Sequence, residues 1–246
     1  MNGRPMHHVD RKDLYIDLES RIEYLHSFLD FSSRDIEALT HGAKYIQALI
    51  PAVVNIVYKK LLQYDITARA FTTHTTASSL PIPDSLSESA PIIQHRKLFL
   101  RAYLTKLCSD PTQLEFWSYL DSVGKMHNTQ ALRVEYIHIG ATLSFIQDVL
   151  TEAILEHPRM SMQRKVGLVK ALSKVIWIQN DLFAKWYVRD GEEFEDEDVL
   201  VPEVREGEGC PFKAMGMEDM KSPLRHDLQV DERDGNAVGV RTKLPA

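Results

Sequence analysis

PTQLEFWSYLDSVGKMHNTQALRVEYIHIGATLSFI, residues 111–146, decides the fold. In its first half Trp117, Leu120, Gly124 and His127 recur at spacings of 3, 4 and 3, which marks one buried helical face behind the turn pair Asp110-Pro111. The expected helix covers about 111–127. In the second half Val134, His138, Ala141 and Phe145 repeat the pattern in a longer helix expected over about 131–156. The imidazole of His127 should therefore point inward near its helix end, and Gly124 one turn earlier leaves room for something broad beside it.

The same period extends in both directions. A first amphipathic helix, about 10–29, carries Leu14, Leu18, Ile22, Leu25 and Leu29 on one face. A second starts at the N-cap Ser33, with Glu37 in its first turn, and runs through Ile36, Leu39, Ala43 and Ile46 to about Leu49. Pro51 fits the first turn of a new helix better than the interior of the old one, so a break is expected near Ile50. The third helix then places Val54, Tyr58, Leu61 and Leu62 on one stripe. From 72 to 91, TTHTTASSLPIPDSLSESAP has no helical period and reads as a long loop. A fourth helix, about 91–107, shows Ile92, Arg96, Phe99, Leu100, Tyr103 and Leu107; the last, about 161–189, follows Pro158 and the cap Ser161. Only 5 of the 11 glycines fall in the first 190 residues, and the fold class expected is all-α.

Charge divides the 246 residues in two. Residues 1–190 hold 22 Lys and Arg against 20 Asp and Glu, and 191–246 hold 7 against 15, so the net −6 is a body of +2 and a tail of −8. The expected organisation is a domain over 1–190 and an acidic, Gly- and Pro-containing disordered tail over 191–246. Nucleic acid is a poor partner for a body with no concentrated basic face. No apolar run approaches the roughly 18 residues of a membrane span, and the N-terminus lacks the apolar core of a signal peptide. Two cysteines, Cys108 and Cys210, do not make a disulfide framework, and a cytoplasmic location is expected.

Glycine-rich phosphate loops, HExxH, CxxC and GxSxG are all missing from the sequence. Inward histidines and aromatics remain. His127 is the leading candidate, its other reading being a helix-terminal histidine favoured by the dipole. Tyr58 is a phenol that needs a partner if buried; it too reads as an ordinary core residue on position alone. His138 is the rival ligand. The remaining histidines are scattered, which makes a purely histidine-built metal site poor. One inward imidazole facing an apolar box suits haem.

The order of elements is that of a globin, and several stretches resemble the protoglobin and globin-coupled-sensor family. They are RIEYLHSFLDFSSRDIEAL (21–39), VVNIVYKKLLQYDITARAF (53–71) for helix B and the C corner, YLDSVGKMHN (119–128) for helix F, RVEYIHIGATLSFI (133–146) for the start of helix G, and KVIWIQNDLFAKWY (174–187) in helix H. The resemblance covers roughly 15–190 and implies a globin-like three-over-three helical sandwich with an extra N-terminal pre-A helix. It implies haem b as cofactor, His127 as the proximal iron ligand and Tyr58 as the distal residue. Phe99 and Leu100 would supply the distal apolar position. Trp117 and Leu120, on the His127 stripe, and Tyr136 and Ile137, at the helix F–G junction, complete the expected cofactor-binding set. The chain has Val57 where archaeal-type protoglobins carry tryptophan before the tyrosine.

The implied function is reversible binding of a diatomic gas, oxygen, carbon monoxide or nitric oxide, at five-coordinate haem iron. A homodimer through helices G and H is the partner the family implies. The alternatives are a gas or redox sensor acting through a separate partner protein and a haem-free globin-fold interaction protein. A haem peroxidase or nitric-oxide dioxygenase is less favoured, because there is no fused reductase and no distal His/Arg pair. Arg96 could reach a haem propionate or be a solvated surface charge, and Cys210-Pro211 resembles the Cys-Pro haem-regulatory dipeptide.

Overall fold

The computed structural model describes residues 6–194. Cys210-Pro211 and the expected tail beyond residue 194 lie outside them.

The first expected helix is two. Asp17 adopts an extended backbone between α1 (Arg11–Ile16) and α2 (Leu18–Phe28), and its carboxylate accepts the Ser20 N–H at 2.8 Å. An Asp that satisfies an orphan amide at a helix start favours a break there over continuation. Arg21 of α2 then forks onto Asp181 with Nε and Nη2 at 2.6 and 2.9 Å.

The expected break at Ile50 does not occur: α3 runs from Ser33 to Leu61 with Pro51 inside it. Pro51 lies on the exposed side, while Ile46, Ile50, Val53, Val54 and Val57 make an unbroken buried stripe. Packing along that stripe outweighs the hydrogen bond a proline cannot donate, and the solvent side is where a helix best tolerates its loss. The start of α3 is fixed by Asp35, whose carboxylate accepts from the Ser32 N–H at 2.9 Å and from Lys174 Nζ of the last helix at 2.9 Å.

Helix α4 (Asp65–Thr73) ends at His74, which has the left-handed φ of 60°. The loop that follows is sewn down at both ends. At its start the His74 carbonyl accepts the Arg133 N–H at 2.8 Å, and the Thr76 N–H donates to the Arg133 carbonyl at 3.2 Å. At its end Glu88 lies 3.3 Å from Nζ of Lys97, a lysine only 7% exposed that also reaches Asn55 at 3.2 Å.

Helix α5 (Pro91–Lys106) matches expectation, with Pro91 at its first position. Helix α6 (Leu114–Met126) starts later than the expected 111, because Asp110 turns back to accept the Thr112 N–H at 2.9 Å. The helix expected from 131 starts at Tyr136 as α7 (Tyr136–Glu156); before it, β1 (Asn128–Thr129) and β2 (Leu132–Arg133) form an antiparallel hairpin. The last helix, α8 (Met162–Ala184), ends five residues short of the expected 189.

Helix α3 packs on α5, α7 and α8, while α6 and α7 both lie on α8. The core has three parts, on α3–α5–α7–α8, on α2–α6–α8 and on α6–α7–α8, and Tyr103 of α5 borders all three. Residues 191–194, expected to begin the unstructured tail, instead return to α1. Glu192–Phe194 form a 3-10 turn in which the Phe194 ring stands 6.1 Å from that of Tyr15, with the Arg11 guanidinium 5.1 Å from both and ion-paired to Glu193. Among the described residues no single helix is long and apolar enough to cross a membrane.

Candidate functional site

His127 caps the C-terminal end of α6. Its Nδ1 lies 2.8 Å from the Val123 carbonyl one turn back, so Nδ1 carries the proton and Nε2 keeps its lone pair. Burial lowers its pKa; the Val123 carbonyl opposes this, and the charge of Arg96 adds to the lowering. The ring is therefore neutral at pH 7, the state in which a histidine ligates a metal. Its plane lies against Phe183 of α8, centroids 5.8 Å apart and 29° from parallel.

Tyr58 sits on the buried stripe of α3, 7% exposed, with its ring 5.6 Å from that of Phe71. Burial raises its pKa and Arg96 lowers it, so the phenol stays protonated. Among the described residues its hydroxyl makes no hydrogen bond to another group.

Arg96 joins the site together. Its charge acts on Tyr58, His74, His95 and His127, which come from α3, the end of α4, α5 and α6. Arg96 itself is half-buried. Phe99 and Leu100 occupy the next turn of α5: Phe99 is half-buried with its ring edge on His95, 4.6 Å away, and Leu100 packs on the cluster that holds Tyr58. Of the expected residues, Tyr58 and His127 both feel the charge of Arg96, and Phe99 and Leu100 follow it on the next turn of α5.

The other expected members lie elsewhere. Trp117 and Leu120 are fully buried between α2 and α8, against Ile22, Ile178 and Leu182, and the Trp117 indole N–H donates to the Pro111 carbonyl at 2.9 Å. They brace α6 rather than line a cofactor pocket. Gly124 does not open space beside His127 either. A Cβ there would come within 2.8 Å of Phe183 and 3.0 Å of the Leu182 carbonyl, so the glycine lets α6 and α8 approach closely. Tyr136 spends its hydroxyl on Asn180 Oδ1 at 2.9 Å, and its ring on Tyr187. Ile137 is 72% exposed and lines no interior site, because the first turn of α7 presents it to solvent. His138, the rival ligand, lies 3.7 Å from Glu135 at the start of α7.

Two residues with unpartnered polar atoms were passed over by the sequence reading. Tyr103 is partly buried where the three parts of the core meet, and its buried hydroxyl has no hydrogen-bond partner among the described residues. The signal was present: 96, 99/100 and 103 are successive positions on one helical face. His74 has a buried, unpartnered Nδ1 and a pKa lowered by burial and by Arg96. Nothing in the loop sequence pointed to it. Among the described residues no three His, Cys, Asp or Glu side chains cluster as a metal site would require; a metal here would have His127 as its one protein ligand.

These residues fit a haem. The donor is an imidazole whose second nitrogen is held by a backbone carbonyl, the arrangement that orients a ligating histidine. The remaining parts are the Tyr58 phenol, which no described residue hydrogen-bonds, apolar side chains on α5, and a cation suited to carboxylate groups.

No curated protein matches the chain. Among solved structures it is similar to the globin domain of the Geobacter sulfurreducens globin-coupled sensor, with a TM-score of 0.51 and 14% identity, covering 68% of this chain and 97% of that one. At that identity the likeness concerns the fold, which is globin-like. The sequence model of the protoglobin family matches residues 18–193, well over half of the chain and nearly all of its described helices. On that match the chain belongs to the protoglobin family.

Proposed function

We propose that this protein is a haem-binding globin that reversibly takes up a diatomic gas, with His127 as the iron's protein ligand. The observation that carries the reading is the 2.8 Å contact between His127 Nδ1 and the Val123 carbonyl, which fixes the tautomer and leaves Nε2 as a lone-pair donor. Haem b, when bound, supplies the iron to which oxygen, carbon monoxide or nitric oxide coordinates. Tyr58 offers an uncommitted O–H donor to the gas, and burial keeps it protonated. Phe99 and Leu100 exclude water, and Arg96 neutralises a haem carboxylate.

A homodimer forms through the last two helices in this reading. Met162, Val166 and Trp177 are exposed apolar residues on one face of α8, with Lys170 and Ser173 between them and Trp177 58% accessible.

The test is spectroscopic. The full chain mixed with haemin should develop a Soret band, and His127→Ala should weaken or shift it. A chain with no Soret band, or a variant spectrum identical to the wild type, defeats the ligand assignment. For Tyr58 the readout is kinetic: Tyr58→Phe should raise the oxygen dissociation rate of the ferrous protein about fivefold or more, the worth of one hydrogen bond. An unchanged rate removes Tyr58 from the site.

A further inference from the structure

A cavity of about 510 Å³ lies between α3, the end of α5, α7 and α8, and shares no residue with the group around Arg96. Its size is that of sites which enclose small organic ligands, roughly 300–1,000 Å³. The floor is hydrocarbon: Ile46, Ile50, Val53, Leu104, Leu150 and Leu168, all buried. The rim is polar and exposed, made by Thr40, Ser109, Asp110 and Thr112. No lysine, arginine or histidine lines any part of it.

Asp110 sets the character of the rim. Its carboxylate accepts the Thr112 N–H at 2.9 Å, the Thr112 hydroxyl at 2.7 Å and the Gln113 amide at 3.3 Å. The Thr112 backbone bond is the main reason its pKa lies below the usual carboxylate value, so the rim carries a negative charge at neutral pH. A hydrocarbon floor beneath an anionic, hydroxyl-bearing rim selects its ligand by two criteria. The body must be apolar and able to fill a deep space, and the head must donate hydrogen bonds without being an anion.

We propose that this cavity binds an aliphatic chain bearing a hydroxyl or ammonium head, with the chain on the floor and the head at Asp110. Alcohols and amines share that chemistry; a fatty carboxylate does not, since it would set a second anion beside Asp110. The site is separate from the His127 site and does not depend on haem.

Cys108 is the built-in reporter. It lines the cavity between floor and rim, half-buried, with its thiol 3.5 Å from the Leu104 carbonyl, and burial pushes its pKa up to about 11. A chain seated in the cavity covers it. The experiment follows modification of Cys108 in the full chain by methyl methanethiosulfonate, read by mass spectrometry of the Cys108 peptide so that Cys210 does not interfere.

1-Hexanol, 1-octanol and 1-decanol should each slow the modification saturably, with the half-protecting concentration falling about fourfold for every added methylene. 1-Decylamine should protect at least as well as 1-decanol, and decanoate should protect least. Asp110→Asn should weaken decylamine more than decanol. Thr40→Trp, placed at an exposed rim position so that the core is untouched, should abolish protection while leaving the thermal unfolding midpoint in place. The proposal is overturned by the absence of saturable protection, by protection independent of chain length, by decanoate equal to decanol, or by full protection in the Thr40→Trp chain.

Discussion

His26 shows what a single imbalance does. Its ring is packed between Phe31, 4.7 Å away, and Trp117, 5.1 Å away, with Nε2 buried and unpartnered among the described residues. Burial lowers its pKa. In the unfolded chain the same imidazole takes its proton near pH 6.5, whereas the folded protein resists it until the pH is lower. The stability this provides is complete above about 6.5 and is lost as pH falls through the folded value. His74, His95 and His127 are shifted in the same direction, so the effects accumulate. The urea midpoint of the apoprotein should therefore drop between pH 7.5 and 5.5, and His26→Phe should flatten that drop. An unaltered pH profile in the variant would show that the ring's burial is not what it costs to acidify the protein.

At the scale of helices, the contact that sets the position of His127 is α6 on α8. Gly124→Ala would press a methyl group on the Leu182 carbonyl and on Phe183, whose ring lies on His127. Because part of that obstacle is backbone, α6 must shift, and the cost should be about 1–3 kcal/mol in denaturant unfolding. The Soret band of the chain mixed with haemin, which the proposed function expects, should shift as well; a variant with wild-type stability and spectrum would mean that the two helices adjust freely. Sequence periodicity revealed that α6 buries the face bearing Trp117, Leu120, Gly124 and His127, but it could not say what covers that face. Trp117 and Leu120 meet α2 and α8, and only the end of the stripe reaches the Arg96 group. Pro51 escaped the reading for a related reason: local propensity argued for a break, and the buried stripe of α3, a tertiary fact, overrode it. The hairpin before α7 was missed because strands of two residues carry no alternation to detect.

For the molecule as a whole, that face of α8 bears on assembly. If Trp177 lies in a homodimer contact, Trp177→Glu should halve the mass seen by sedimentation velocity while leaving the far-ultraviolet circular dichroism unchanged. A wild-type chain already monomeric at the highest concentration reached would leave that face without this role. The fold itself was legible, since helix order and the 119–128 and 174–187 stretches carry through to a family match over residues 18–193. The site was legible only in part. Arg96 exerts its charge on groups from four elements, and no spacing within one helix reports that.

The loop that opens at His74 acts as a strut. One end is bonded to Arg133, in the hairpin that continues from His127, and the other is held at Lys97, the residue after Arg96. In sequence α5 and α6 are joined only by the short turn around Asp110, and they pack on different helices, α5 on α3 and α6 on α8. The strut ties the hairpin after α6 to the first turns of α5 a second time, at the ends remote from Asp110, so the two helices are joined through the chain at both ends.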